Sequence, residues 1–388
     1  MALKYPFLDL GKVNEPYADA LVAAAGRVIR SGRYIGGPEV DAFESDMARL
    51  CETTRCVGLS NGLDALRLTL STLVHLGRLN PGDGVIVPAN TYIASVLAIT
   101  DAGLRPVLVD PDERTMNLSA RGIASALGPG VRAVMPVHLY GRVAWSDGMA
   151  DIVRREGLLV VEDCAQAIGA RSVAPGLNGT CAVGSLGHAG AFSFYPTKNV
   201  GALGDAGCVT TSDTELADAV RCLANYGSDR RYHNIYQGFN CRLDPIQAAM
   251  LRVKLPHTDR ENADRRLLAN IYSKTIFRPD VITPLCDDPG DDCVWHQYVI
   301  RVTGGRRDLM AERLARAGVG TDIHYAVPPH LQPCYTRGET SRPDQPLEHG
   351  PLPVTELLAS EILSLPIGRG TSADDASEIA SIINSIEL

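Results

Sequence analysis

Short apolar runs, each bounded by turn residues, alternate with segments of helical periodicity through the first 225 residues of the chain. The runs have the length and the continuous hydrophobicity of strands that are buried on both faces. They span residues 85–89, 106–110, 133–138, 158–163, 191–195 and 208–211, and the helical segments span residues 62–76, 93–102, 120–127, 146–156 and 214–225. Strand followed by helix, repeated in this way, predicts an α/β fold with a mainly parallel sheet that is covered on both sides.

Polar residues at the carboxyl ends of these strands are candidates for a binding site, because ligands bind at that edge of such sheets. His138, Asp163 and Ser193 all lie at predicted ends of this kind.

The pattern changes after Leu255. A helical segment rich in Arg and Asn runs to residue 277, and a loop rich in Pro and Asp follows it up to residue 292. We therefore predict a large domain over residues 1–255, which includes the N-terminal segment, and a smaller C-terminal domain over residues 256–388. A chain of 388 residues can bury a full core.

Charge and composition exclude several classes of partner. The net charge of -8 and the pI near 5.6 leave no basic surplus to neutralise a nucleic-acid backbone. The chain begins without an apolar run of signal-peptide length, and no stretch reaches the roughly 20 apolar residues that cross a bilayer. The ten cysteines are scattered, without a grouping typical of metal ligands. We expect a cytoplasmic protein that binds neither nucleic acid nor membrane and holds no metal.

Lys198 is one of only five lysines in the chain. It follows an apolar strand, in the segment GAFSFYPTKNVGALGD, and the glycines after it suit a close approach of the backbone to a ligand. A lysine desolvated in such a turn has a lowered pKa and can attack a carbonyl carbon to form an imine. An isolated lysine in a turn is more often a surface residue, and it is the neighbouring motifs that favour the chemical role here.

Asp163 ends the apolar run LLVVED. A carboxylate at this point can pair with a pyridine nitrogen and keep it protonated, so that the ring accepts electrons from a carbanion. The alternative is the N-cap of a following helix, which is a common role for Asp. The residue by itself does not separate the two.

Two further motifs could help to bind a flat aromatic cofactor that carries a phosphate group. The segment SNGLDALRLTL places Gly62 at the start of an amphipathic helix, where backbone N–H groups can cradle a phosphate, although such a segment alone is more often a cap. Ser193, five positions before Lys198, could add a hydroxyl. Tyr92, in PANTYIAS, follows a strand and could stack on a flat cofactor, or could be a core residue.

These motifs together resemble the DegT/DnrJ family of sugar aminotransferases, which are pyridoxal-phosphate enzymes. The likeness covers nearly the whole chain. The similar strings, in family order, are PFLDL, SGRYIGGPEVDAFE, SNGLDALRLTL, VIVPANTYIAS, VMPVHLYGR, VVEDCAQAIGA, AFSFYPTKNVGALGDAGCVTT, NYGSDRRYHNIYQGFNCRLDPIQAAMLRVKL, WHQYVIRV, IHYAVPPHLQPCY and EILSLPIG. The resemblance implies the PLP-dependent transferase fold of type I, with a mainly parallel seven-stranded sheet in the large domain and an α+β small domain.

The resemblance also implies roles around the cofactor. Lys198 would form the internal aldimine with pyridoxal 5′-phosphate, Asp163 would pair with the pyridinium nitrogen, and Gln166 would meet the ring hydroxyl. The remaining cofactor contacts would come from Gly62, Leu63 and Ser193 at the phosphate, Tyr92 on one ring face, and Asn240 at the phosphate of the neighbouring subunit. A homodimer with shared active sites is therefore implied.

The strings YGSDRRYHNIYQGFNCRLD and IHYAVPPHLQP look most like those of nucleotide-sugar 3-aminotransferases. By this likeness Arg231 and Tyr232 would approach the substrate diphosphate, since a guanidinium fork matches phosphate oxygens. The other implied substrate contacts are Tyr195, His324, Tyr325 and His330. The alternative for the two histidines is a structural loop or a metal pair.

The implied reaction moves an amino group from L-glutamate, or glutamine, through pyridoxamine phosphate to the C3 keto group of a dTDP-linked 6-deoxyhexose. Lys198 would move the proton. The alternatives are an aminotransferase acting at C4, a sugar dehydratase of the same family, in which histidine replaces the lysine, and a non-enzymatic regulator with the same fold. The presence of Lys198 argues against the dehydratase, and the set Lys198, Asp163, Gln166 and Asn240 argues against the regulator.

Overall fold

The computed structural model describes residues 3–286, 292–336 and 347–387. Its larger sheet contains seven strands of four or five residues: β1 (Arg55–Leu59), β2 (Gly84–Pro88), β3 (Arg105–Val109), β4 (Val131–Val134), β5 (Leu159–Asp163), β6 (Ala189–Ser193) and β7 (Gly207–Thr211). Their order across the sheet is β1-β7-β6-β5-β4-β2-β3. From β6 to β3 all neighbours are parallel, whereas β7 is antiparallel to both β6 and β1. The predicted α/β fold with a mainly parallel sheet is confirmed.

Shorter strands complete the β-structure: β8 (Ser228–Arg230), β9 (His233–Asn234), β10 (Val281–Ile282), β11 (Tyr298–Val302), β12 (Glu348–His349) and β13 (Ile362–Leu365). Strand β12 pairs in parallel with β3 and adds an eighth, two-residue strand to the seven that were predicted for the large sheet. It covers part of the β3 edge, where backbone groups would otherwise lack partners. Two residues are too few to produce a detectable periodicity.

The α-helices are α1 (Leu10–Asn14), α2 (Ala18–Ser31), α3 (Pro38–Leu50), α4 (Gly62–His75), α5 (Ile93–Asp101), α6 (Ala120–Ala126), α7 (Asp147–Glu156), α8 (Thr214–Ala224), α9 (Pro245–Lys254), α10 (Thr258–Thr275), α11 (Arg307–Arg316), α12 (Pro333–Thr336), α13 (Pro353–Glu361) and α14 (Ala373–Ser385). The five helices predicted within the alternating pattern match α4 to α8 to within one residue at each end.

Alternate residues of the central strands face two separate hydrophobic cores. In β2, Ile86 belongs to a core shared with α3, α6 and α7, whereas Val85 and Val87 belong to a core shared with α4, α5 and α8. The strands are therefore buried on both faces, which explains why they appear in the sequence as continuous apolar runs.

Two predicted strand ends are wrong. The run 191–195 continues two residues past β6, which ends at Ser193. The run 133–138 was expected to be strand throughout, but β4 ends at Val134. The following residues lead into a turn in which Tyr140 has a φ of 61°. Pro136 has no backbone N–H to donate, so the ladder is interrupted there and only the bridge between Val137 and Asp163 remains; hydrophobicity alone does not indicate this.

The C-terminal part forms a second, antiparallel sheet in the order β10-β11-β13. Its core includes Tyr272 of α10, Tyr298 of β11 and residues of α11 and α14. Tyr5 also packs here, and its backbone pairs with Val319. The boundary after residue 255 stays a prediction. Among the described residues, no helix is both long enough and apolar enough to cross a membrane.

Candidate active site

A cavity of about 510 Å³ lies at the carboxyl ends of the parallel strands. The N-terminus of α4, the ends of β5 and β6, and two segments of the C-terminal part surround it. Ten of the residues that were predicted from the sequence line this cavity, namely Gly62, Leu63, Tyr92, Asp163, Gln166, Ser193, Tyr195, Lys198, His324 and Tyr325. The fold therefore brings most of the predicted site together in one chain.

Lys198 projects into the cavity from the turn that follows β6. The turn is closed by a hydrogen bond from Lys198 N to Tyr195 O (2.8 Å), and it needs glycine at position 201, where a Cβ would lie 2.3 Å from Pro196 O. The Lys198 side chain makes no hydrogen bond or ion pair with any described residue. Desolvation lowers the Lys198 pKa to about 8, although the nearby charge of Asp163 opposes the shift. A lysine of this kind is partly neutral, and therefore nucleophilic, near neutral pH.

Asp163 ends β5 and is buried. Its Oδ2 accepts a hydrogen bond from Ser95 Oγ (2.7 Å), and its Oδ1 accepts one from the backbone N of Ala165 (3.1 Å). Turns, and no α-helix, follow it over residues 164–170, so the helix N-cap alternative is wrong. The two donors hold the carboxylate in one orientation at the cavity wall.

The N-terminus of α4 packs directly against the end of β6. A Cβ on Gly62 would lie 2.6 Å from Ser193 Cβ, so only glycine permits this approach. Asn61 caps the helix by accepting a hydrogen bond from Asp64 N (2.8 Å), which leaves the N–H groups of Gly62 and Leu63 without intrahelical acceptors. Together with the Ser193 hydroxyl, these donors form a cradle suited to a phosphate.

Gln166 links the turn after β4 to the C-terminal part of the chain across the cavity wall. Its Oε1 accepts a hydrogen bond from Tyr140 N (2.5 Å), and its Nε2 donates to Tyr325 Oη (3.1 Å). The ring of Tyr325 lies 5.0 Å from the ring of Tyr92, which is 53% exposed at the N-terminus of α5. An amide, a phenol and an aromatic ring therefore line the same cavity as Asp163.

Four predicted residues lie outside this cavity in the single chain. Asn240, Arg231 and Tyr232 are exposed, and the guanidinium of Arg231 lies 4.9 Å from the Tyr232 ring centroid. His330 is buried, and its Nε2 lies 3.3 Å from Glu356 Oε1. His324 has a different partner, Ser364, so the two histidines do not form a metal pair.

His138 was predicted to lie at the carboxyl end of a strand, and therefore near the binding site, but it does not line the cavity. It is fully buried, with Nδ1 accepting from Ala144 N (2.9 Å), so that Nε2 carries the proton and donates to Glu162 Oε2 (3.0 Å). Glu162 also accepts hydrogen bonds from the backbone N of Gly184 and Gly187. Cys164 completes a compact group of potential metal ligands, but the hydrogen bonds already satisfy the imidazole and the carboxylate.

The sequence interpretation missed His296 and Gln297, which line the cavity from the segment before β11. They belong to the string WHQYVIRV, whose likeness to the family was the one available signal. The amide of Asn199 donates to Asn262 Oδ1 and Val294 O, so its oxygen accepts from His296 Nδ1 (3.0 Å). Burial lowers the pKa of His296 well below its ordinary value, and this imidazole is neutral.

The sequence model of the DegT/DnrJ/EryC1/StrS aminotransferase family matches residues 17–384 of the chain. The chain belongs to this family. It is 44% identical over 366 residues to the dTDP-3-amino-3,4,6-trideoxy-alpha-D-glucose transaminase of Streptomyces venezuelae, covering 94% of this chain and 91% of that one.

Solved structures agree with this assignment. The crystal structure of S. venezuelae DesV, in complex with a ketimine intermediate, superposes with a TM-score of 0.89 at 41% identity, covering 99% of this chain and 98% of that one. NtdA of Bacillus subtilis, with bound cofactor PMP (pyridoxamine phosphate), superposes with a TM-score of 0.83 at 27% identity and coverages of 99% and 86%. This DegT-family chain is thus an aminotransferase with the PLP-dependent transferase fold, as predicted, and its activity depends on pyridoxal phosphate.

Proposed function

We propose that this DegT-family aminotransferase transfers an amino group from L-glutamate to the C3 keto group of a dTDP-linked 6-deoxyhexose. The observation that carries the proposal is Lys198, an unpaired lysine of lowered pKa in a cavity that also holds Asp163 and a helix N-terminus suited to phosphate. The 3-amino sugar nucleotide named for the S. venezuelae relative supports the choice of substrate.

The residues present fit the cofactor. We infer that Lys198 would hold pyridoxal 5′-phosphate at its aldehyde carbon, that Asp163 would pair with its ring nitrogen, and that Gln166 would contact its ring hydroxyl. The phosphate contacts are proposed to come from Gly62, Leu63 and Ser193, with Tyr92 covering a ring face. When bound, the cofactor withdraws electrons from the substrate carbon and carries the amino group between the two substrates.

The side chains of the protein then orient the substrates and move protons. Once its amine is free, Lys198 would take the proton from the α-carbon of the amino-acid donor and pass it to the cofactor, and it would run the same transfer in reverse to place a proton on the sugar carbon that gains the amino group. This role suits a lysine whose pKa lies near the operating pH. Tyr195, His324 and Tyr325 line the same cavity and are proposed to contact the sugar.

We further propose a homodimer in which each subunit completes the site of the other. Asn240, Arg231 and Tyr232 support this arrangement, because they are exposed and lie outside the cavity of their own chain. Asn240 would reach the partner's cofactor phosphate, and the other two the substrate diphosphate. His330, which is buried against Glu356, would support the sugar pocket from behind.

The test is the visible absorption spectrum of the purified protein with pyridoxal phosphate, before and after addition of L-glutamate. We expect a yellow band that glutamate bleaches, and a 3-amino product, identified by NMR, once the dTDP-3-keto sugar is added. Lys198→Ala should abolish turnover, whereas the exposed control Lys274→Ala should not. A protein that gains no band would overturn the proposal, and a 4-amino product would establish the C4 alternative.

A further inference from the structure

A second, smaller cavity of about 180 Å³ adjoins the cofactor cavity. The two cavities share Thr197, His296, Gln297 and His324 as wall residues. The smaller one, called the side cavity below, is well under the roughly 300–1,000 Å³ of a typical ligand site. The side cavity therefore has room for one polar group of a small molecule, and not for a whole substrate.

The side cavity is lined by Arg265, a residue of α10 that is only 7% exposed. Its Nη1 donates to the carbonyl oxygens of Trp295 (3.0 Å), His296 (3.3 Å) and Ile367 (3.4 Å). Its Nε and Nη2 make no hydrogen bond with a described residue, and no described carboxylate pairs with the guanidinium. Burial lowers the Arg265 pKa to about 10, although the charge of Glu261, one turn earlier on α10, opposes the shift, so the group is still charged at neutral pH. Glu261 forms its ion pair with Arg369 and not with Arg265, so an anion bound in the side cavity would lower the cost of burying the Arg265 charge.

Gln297 is the second polar group of the side cavity without a partner. It is 5% exposed, and its Oε1 is buried without a hydrogen bond. The rest of the amide also makes no hydrogen bond with a described residue. Buried amides are nearly always paired, with protein or with a bound molecule, and this one has both a donor and an acceptor to offer.

The histidines of the two cavities carry no permanent positive charge that would compete with Arg265 for an anion. Burial lowers the pKa of His324 to about 4, and that of His296 falls well below its ordinary value, so both rings are neutral. Asp322 also lines the side cavity, but its side chain is 59% exposed, and water screens its charge. Among the described wall residues of the side cavity, Arg265 is thus the permanent cation.

We propose that the side cavity binds a carboxylate group of the amino-acid donor, which accepts hydrogen bonds from the guanidinium of Arg265 and from Nε2 of Gln297. The proposal rests on the proposed function, which requires an amino acid as one of the two substrates. Every such donor has a carboxylate, and a guanidinium can hold it with two parallel hydrogen bonds. Because the two cavities share four wall residues, a donor anchored in the side cavity would extend toward Lys198.

The proposal is tested with Arg265→Lys and Gln297→Leu in the half-reaction that L-glutamate drives on the pyridoxal-phosphate holoenzyme. The glutamate concentration for half-saturation should rise about tenfold to a hundredfold in Arg265→Lys, as expected for loss of hydrogen bonds to a charged group, and less in Gln297→Leu. The KM for the keto sugar should not change. The matched control is Arg266→Lys, because Arg266 is the next residue on α10 but pairs with Asp292 and lines neither cavity.

L-Glutamine separates the two possible carboxylates. A loss of affinity for both donors would place the α-carboxylate on Arg265, and a loss for glutamate alone would place the side-chain carboxylate there. Unchanged half-saturation for both donors in both variants would overturn the proposal and leave Arg265 as a structural tie between three carbonyl groups. If Arg265→Lys fails to fold, Gln297→Leu decides the matter, since that amide has no protein partner to lose.

A binding measurement keeps this test independent of turnover. Glutarate, a dicarboxylate without an amino group, should bind the wild-type holoenzyme in isothermal titration calorimetry and bind Arg265→Lys about tenfold more weakly or worse. If the wild type accepts no amino acid, the proposed function fails, whereas equal binding of glutarate to both proteins would refute only the side-cavity site.

Discussion

Lys198 owes its reactivity to its surroundings. An ordinary lysine is almost entirely protonated at neutral pH, whereas desolvation in this cavity lowers the Lys198 pKa from 10.5 to about 8. The charge of Asp163 limits the shift because it stabilises the ammonium form. The two side chains are thus electrostatically coupled before any cofactor binds.

This coupling predicts how the cofactor-free protein captures pyridoxal phosphate. The neutral amine is the attacking form, and its fraction rises with pH through the pKa, so the rate of capture should rise with a midpoint near pH 8. Asp163→Asn should move the midpoint lower, because the charge that stabilises the ammonium is lost. Stopped-flow absorbance across the pH range measures both, with Lys198→Ala reporting the background from other lysines. A midpoint near that of an ordinary lysine would show that the site does not desolvate the amine.

At the scale of elements, the site depends on one close contact between a helix and a strand. The N-terminus of α4 closely approaches the end of β6, and the proposed phosphate cradle lies where the two meet. A Cβ on Gly62 would lie 2.6 Å from Ser193 Cβ and 3.2 Å from its Cα. One methyl group at this position must therefore push α4 and β6 apart.

We predict that Gly62→Ala lowers the free energy of unfolding by roughly 1–3 kcal/mol, the usual cost of overpacking. It should also weaken the binding of pyridoxal phosphate, since the cradle opens. Urea unfolding of the cofactor-free protein and equilibrium dialysis of the cofactor measure the two effects. Gly128→Ala is the control, because nothing lies within 4 Å of its Cβ position. An unchanged cofactor affinity in Gly62→Ala would argue against phosphate at the α4 N-terminus.

At the scale of the whole molecule, some of the predicted site lies outside the cavity of its own chain. Tyr232 is 87% exposed, and Asn240 is also exposed at the surface. The proposed second subunit would bring these residues to the opposite cavity, and a symmetric dimer would make such sharing reciprocal.

Complementation between two inactive variants tests the shared site. Lys198→Ala removes the reactive amine, and Asn240→Asp places a negative charge where the partner's cofactor phosphate would lie. Random pairing of equal amounts of the two should restore about a quarter of wild-type activity, because half of the dimers are mixed and each holds one intact site. The variants are co-expressed with different tags, and each is assayed alone as the control. No recovered activity in purified mixed dimers would mean that Asn240 acts within its own chain.

The sequence by itself determined the large sheet and the parts of the site that lie on it. Strands buried on both faces leave continuous apolar runs, and the carboxyl ends of parallel strands lie at one edge, so Asp163 and Ser193 could be placed together from their positions in the chain. The same rule failed for His138, because β4 ends at Val134 and the turn buries the imidazole against Glu162. Local patterns report where a strand occurs, but not how the chain turns after it.

Only the tertiary structure decided what the C-terminal part contributes. His296 and Gln297 precede an antiparallel strand, for which no strand-end rule applies, and Arg265 has the sequence surroundings of an ordinary surface arginine in a polar helix. The packing of α10 and the second sheet against the large sheet brings His296 and Gln297 to the cofactor cavity and Arg265 to the side cavity. The same packing shields all three side chains from water. Burial and missing partners are properties of contacts between residues far apart in the chain, so they cannot be read from spacing along the sequence.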